Sequence, residues 1–113
     1  MAETLAYPVV DDTLLAEVVR RFLAVGSPKK IVLFGSRARG DANEDSDYDF
    51  LVIENSDKPR WKRSPVYYLA LSGLDPEIDV VVWTPNEIEE WAGVSNFFIT
   101  TVLREGRTLY DAG

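Results

Sequence analysis

Apolar and polar positions alternate along this chain with two different periods. Leu14, Leu15, Val18, Val19, Phe22 and Leu23 recur at helical spacing behind Asp11 and Asp12. That pattern predicts a capped amphipathic helix, with Gly26 as the residue just past its end. Ile31 to Phe34 is a short apolar run ending at Gly35, and Asp49 to Ile53 is a second. Both read as strands separated by a polar loop rich in Gly and Asp. Asn55 to Arg63 is polar throughout. Ser64 and Pro65 then open a helix expected to reach about Leu71, with Gly73 near its end. A third strand is predicted over Ile78–Trp83. Helices follow over Pro85–Trp91 and Ser95–Glu105, the second closed by Gly106. Thr108 to Tyr110 fits a short edge strand. Helices alternating with buried strands predict an α/β (α+β) fold, a small mixed sheet with helices packed on it. No repeat, low-complexity tract or linker interrupts residues 1–113, so one domain is expected.

Composition narrows the chemistry. Nineteen Asp and Glu against twelve Lys and Arg give a net charge of −7, which disfavours coating nucleic acid or an anionic membrane. The chain has neither Cys nor His. Disulfides, thiolate nucleophiles, Ser-His-Asp triads and imidazole-ligated zinc are therefore excluded. The ions most easily held are hard ones such as Mg²⁺, Mn²⁺ or Ca²⁺. Met1 to Val10 carries Glu3 and no basic stretch, unlike a signal peptide. No apolar run approaches the ~18 residues of a membrane span. A cytoplasmic protein is expected.

The stretch Gly35 to Asp49 carries the chemistry. Gly35 and Gly40 have P-loop spacing, but Asp41 and Ala42 stand where Lys and Ser or Thr are required. Asp41, Asn43, Asp45, Asp47 and Asp49 alternate like a calcium loop. That loop needs Gly where Ser46 stands and Glu where Val52 stands. A third arrangement survives. Asp47 and Asp49 are two apart at the start of a strand, so their carboxylates project to one side. Crowded carboxylates repel unless a cation lies between them. Asp79 sits near the start of the next strand. Strands joined through a helix are usually parallel, and a first strand joined only by a loop can run antiparallel. In that topology Gly35, Ser36, Asp47, Asp49 and Asp79 meet at one end of the sheet.

Gly35-Ser36, the ten residues Arg37–Ser46, Asp47-Tyr48-Asp49 and a third carboxylate on the next strand resemble the nucleotidyltransferase superfamily signature. The chain is similar to the minimal nucleotidyltransferases, small proteins related to the catalytic palm of DNA polymerase beta and to antibiotic nucleotidyltransferases. The likeness runs through nearly the whole chain, to the Gly106–Tyr110 ending. It implies a palm-like fold in which Asp47 and Asp49 bridge two Mg²⁺ ions, Mn²⁺ being an alternative, one of them shared with Asp79. It implies that Gly35 admits the backbone to the phosphates, that Ser36 and nearby amides cradle them, and that Arg37 or Arg39 neutralises departing pyrophosphate. It implies ATP as donor, AMP transfer to a protein hydroxyl, and a HEPN-domain toxin as the partner, with this chain as antitoxin. The chain's size leaves the acceptor to be held by that partner or by a second copy. A binding-only antitoxin and transfer to a small molecule such as an aminoglycoside are the competing functions.

Plainer roles compete for single residues. Asp47 and Asp49 could form a solvated junction, and Asp79 an exposed strand end. Arg37 and Arg39 could pair with Asp45 or Glu44. Lys58, Arg60, Trp61, Lys62 and Arg63 form a basic, aromatic cluster, best read as a mobile surface loop. Phe97, Phe98, Ile99, Val102 and Leu103 exceed what one core-facing stripe requires, so part of that helix is expected to face a partner.

Overall fold

A computed structural model describes residues 12–92 and 97–113. Residues 1–11, which include the alternative cap Asp11, lie outside it, as does Ser95 at the expected start of the last helix. The first helix, α1, spans Thr13–Val25. Asp12 caps it, its carboxylate accepting from the Leu15 amide at 3.1 Å. Strand β1 is Lys30–Phe34, followed by a one-turn helix α2 over Ser36–Arg39. Strand β2 is Tyr48–Ile53 and helix α3 is Pro65–Ala70. Strand β3 is Ile78–Trp83, and two helices follow, α4 over Pro85–Ala92 and α5 over Phe97–Glu105. Strand β4, Arg107–Asp111, ends the chain.

The sheet order is β3-β2-β1-β4. Strands β1 and β2 are antiparallel, β2 and β3 parallel, and β4 lies antiparallel on the outer edge of β1. The loop-joined pair is thus antiparallel and the helix-joined pair parallel, as the connection lengths imply.

Side chains alternate across this sheet into two cores. Ile31, Leu33, Phe50, Val52, Val80 and Val82 face α1 and α3, where they pack on Val18, Phe22 and Tyr67. Val32, Leu51, Ile53 and Trp83 face the other way, onto Ile99 and Val102 of α5. Of the apolar α5 residues singled out from the sequence, Ile99 and Val102 are buried, while Phe98 and Leu103 are each 41% exposed. The side chain of Phe97 lies outside the described residues.

Two local expectations change. Gly26 follows α1 with φ −146°, an extended conformation open to any residue. It is glycine for space, because a Cβ there would meet the Tyr67 hydroxyl and lie 2.8 Å from Glu54 Oε1. The basic stretch before α3 is not a free loop. Its 3₁₀ turn, Arg60–Lys62, is tied down on both sides. Arg63 donates to Glu87 at 2.7 Å and to the Val82 carbonyl at 3.2 Å, and Arg60 stacks 4.0 Å above the Trp83 ring.

Candidate functional site

The site begins where β1 stops. Gly35 has φ 78° and ψ −160°, a backbone region essentially reserved for glycine. A Cβ at this position would stand 2.6 Å from Asp49 Oδ2. Glycine therefore satisfies two demands, the turn and the approach of the loop backbone to a carboxylate. The turn is then locked locally. The amides of Ala38 and Arg39 donate to the Gly35 carbonyl at 3.0 and 3.1 Å, and Gly40, at φ 88°, closes α2.

Strand register brings the carboxylates to this turn. Phe34 pairs with Asp49 across β1 and β2, and Asp49 pairs with Asp79 across β2 and β3. Asp49 and Asp79 share the parity of Leu51 and Val81, so they lie on the α5 face of the sheet. Asp47 precedes β2 by one residue and is exposed, as is Asp79, whereas Asp49 is half-buried. Burial raises the Asp49 carboxyl above its ordinary pKa, and the charges of Asp79 and then Asp47 raise it further. Asp49 thus feels the charge of both neighbours. Among the described residues, however, no three acidic side chains stand ready as a metal-holding group.

The two arginines have different surroundings. The Arg37 guanidinium donates to the Ser46 carbonyl at 2.9 Å and lies 4.2 Å from the Tyr48 ring centroid. It braces the loop that delivers Asp47. That loop has its own internal lock, the Asn43 side chain accepting from the Asp45 amide at 2.8 Å. Arg39 instead faces Asp41 at 3.2 Å and Glu105 at 3.6 Å. It lines a cavity of about 260 Å³ together with Phe34 and Gly35 at the end of β1 and with residues of α5.

Residues 12–106 match the nucleotidyltransferase domain family. The chain belongs to that family. It is 33% identical over 85 residues to the protein adenylyltransferase MntA of Aphanizomenon flos-aquae, an alignment covering 74% of this chain and 57% of that protein. This nucleotidyltransferase domain therefore spans little more than half of that relative. It is also 39% identical over 88 residues to a candidate protein adenylyltransferase of Methanocaldococcus jannaschii, covering 75% of this chain and 81% of that protein. The fold is shared with a toxin–antitoxin crystal structure containing AMP-PNP, with a TM-score of 0.64 at 20% identity over 86% of this chain and 73% of that one. A candidate nucleotidyltransferase from Sulfolobus solfataricus superposes with a TM-score of 0.61 at 20% identity, covering 87% and 78% of the two chains.

Within the nucleotidyltransferase domain, Gly35, Asp49 and Asp79 are adjacent, with Asp47 at the entrance to β2 and Ser36 opening α2. The cavity between Phe34 and α5 was not legible in the sequence. Trp91, Phe97 and Phe98 read as core or interface and not as a base-stacking platform. The available signal was Phe34 itself, which antiparallel pairing of β1 and β2 sets opposite Asp49. No described helix is long and apolar enough to cross a membrane.

Proposed function

We propose that this domain transfers AMP from ATP to a hydroxyl group on a partner protein, and that the partner is a HEPN-domain toxin. The observation that carries the reading is the convergence of the Gly35 turn with Asp49 and Asp79 at one end of the sheet. A relative named as a protein adenylyltransferase and a fold neighbour crystallised as a toxin–antitoxin with AMP-PNP support it. A cytoplasmic site of action goes with the use of ATP.

The donor set fits divalent magnesium or manganese. Asp47, Asp49 and Asp79 offer hard carboxylate oxygens, and Asp49 is an anion held uncomfortably between burial and two like charges. Asp47, Asp49 and Asp79 would hold such ions, which would supply polarisation of the phosphoryl oxygens and activation of the attacking hydroxyl. The chain's own residues do the rest. Gly35 lets the main chain approach the phosphates without a side chain intervening. The Ser36 hydroxyl and the first amides of α2 donate to phosphate oxygens. Both arginines have partners, Arg37 the Ser46 carbonyl and Arg39 the Asp41 and Glu105 carboxylates, and Arg39, beside Gly35 and 43% exposed, is the one placed to exchange a partner for phosphate. Arg37 then acts as a positioning residue for the loop that ends in Asp47.

The test is to incubate the protein with its co-purifying partner, Mg²⁺ and ATP labelled at the α-phosphate. Label on the partner, lost when Asp47 and Asp49 are both changed to Asn, is the expected result. A stable complex that acquires no label would instead assign the chain as a binding-only antitoxin. Label on an added aminoglycoside and not on protein would assign small-molecule transfer.

A further inference from the structure

Strand β3 lies at the edge of the described sheet, so one row of its backbone groups faces away from β2. Asp79 pairs in register with Asp49, and backbone groups alternate between the two edges along a strand. The next residue, Val80, therefore turns its N–H and carbonyl outward. Val80 is buried, and buried backbone groups need a partner. Tyr68 of α3 is that partner. Its hydroxyl accepts from the Val80 amide at 2.9 Å and donates to the Val80 carbonyl at 3.4 Å. One phenol thus stands in for a missing strand, one residue after Asp79. We infer that Tyr68 is a positioning residue for Asp79: by fixing the outer edge of β3 it keeps the Asp79 carboxylate beside Asp49 and so sets the site's affinity for a divalent ion.

Two adjacent tyrosines build this tether. Tyr67 is fully buried, edge to face with Phe22 at 4.9 Å and 74°, and anchors α3 on the core. The following residue is turned by about 100° around the helix, which carries the Tyr68 ring off the core and to the strand edge. Asp79 needs the restraint. It is exposed, so no packing fixes its side chain. Its charge and that of Asp49 repel, and a loose edge strand would relieve the repulsion by moving outward. The inner side of β3 is held just before Asp79, where the Tyr48 amide donates to the Glu77 carbonyl at 3.0 Å. Tyr68 holds the outer side just after it. Arg63 also grips the outer edge, donating to the Val82 carbonyl at 3.2 Å, but further along β3 and away from the carboxylates. The same edge therefore carries its own comparison.

This rests on the reading of Asp79 as a metal ligand, and the test separates the two. Tyr68→Phe removes the hydroxyl and keeps the ring. Arg63→Gln loosens the same edge at Val82. Amide hydrogen exchange is followed in the metal-free proteins. Mn²⁺ affinity is measured by calorimetry, with and without a non-hydrolysable ATP analogue. In Tyr68→Phe the Val80 amide should exchange about tenfold faster or more. Mn²⁺ binding should weaken by about 10–100-fold, the usual cost of losing a group that orients a metal ligand. Arg63→Gln should keep wild-type Mn²⁺ affinity. Saturating Mn²⁺ should restore AMP transfer in Tyr68→Phe, a shift in the metal concentration required and not in the maximal rate. Unchanged Val80 exchange or unchanged Mn²⁺ affinity in Tyr68→Phe overturns the positioning role while leaving the metal site intact. So does an equal loss of affinity in Arg63→Gln. Wild-type protein that takes up Mn²⁺ in neither condition overturns the metal reading, and the positioning role with it.

Discussion

Two glycines in one turn show how differently a single residue can matter. Gly35 and Gly40 both have positive φ, at 78° and 88°. Around Gly40 nothing lies within 4 Å of an added Cβ, whereas at Gly35 the Asp49 carboxylate does. Gly40→Ala should therefore cost only the left-handed backbone, about 1 kcal/mol. Gly35→Ala adds a steric conflict in a glycine-only region and should cost about 1–3 kcal/mol by chemical denaturation. It should also abolish Mg-ATP binding, which Gly40→Ala leaves in place. Equal effects of the two substitutions would remove the close approach from the argument. Asp79 can be tested by the same logic of sign. Its charge raises Asp49, and Asp79 is itself exposed, so Asp79→Asn relieves repulsion in the metal-free protein. Its melting temperature should stay level or rise, while AMP transfer falls by ~10²-fold or more, the low end for assistance to a proton transfer. A structural Asp79 gives the reverse, lower melting and near-normal transfer per folded molecule.

At the scale of elements, the sequence was most readable where local pattern and tertiary need agreed. The run Ile31–Phe34, the Asp49–Ile53 run and the Ile78–Trp83 run became β1, β2 and β3 within a residue or so, because buried strands are apolar on both faces. Connection type then fixed their directions, and with them the meeting of Asp49 and Asp79. Side-chain parity put both carboxylates on one face, but nothing local says that α5 covers that face. The fate of Arg63 was equally hidden, since its partner Glu87 is 24 positions away. That pair joins the turn before α3 to the start of α4, with Arg63 8% and Glu87 24% exposed. Hydrogen bonding from Arg63 holds the Glu87 carboxyl at about 2, against an ordinary 4.5. A depressed pKa contributes stability that is present above pH 4.5 and is lost as pH falls toward 2. Screening at this partly open position limits the contribution to about 1 kcal/mol. Wild-type stability should therefore fall across that window more steeply than that of Glu87→Gln. Parallel denaturation curves from pH 5 to pH 2.5 would show the pair to be idle.

The molecule's net charge has the same sign as its proposed substrate. A net charge of −7, three carboxylates at the site and a triphosphate all repel one another. Nucleotide affinity should then depend on a divalent ion more than on any single contact. In EDTA, ATP binding is expected to weaken at least tenfold relative to Mg²⁺. Salt supplies the second, sharper reading. The Debye length shortens from about 30 Å at 0.01 M to about 10 Å at 0.1 M. Added KCl should therefore screen the long-range repulsion and strengthen the residual metal-free binding. With Mg²⁺ present the local interaction is attractive, so the same salt should weaken binding. Opposite signs of the two salt slopes in calorimetry are the expected outcome. Equal ATP affinity in EDTA and in Mg²⁺ would mean that Asp47, Asp49 and Asp79 do not face the phosphates, and that the Gly35 turn binds through its amides alone.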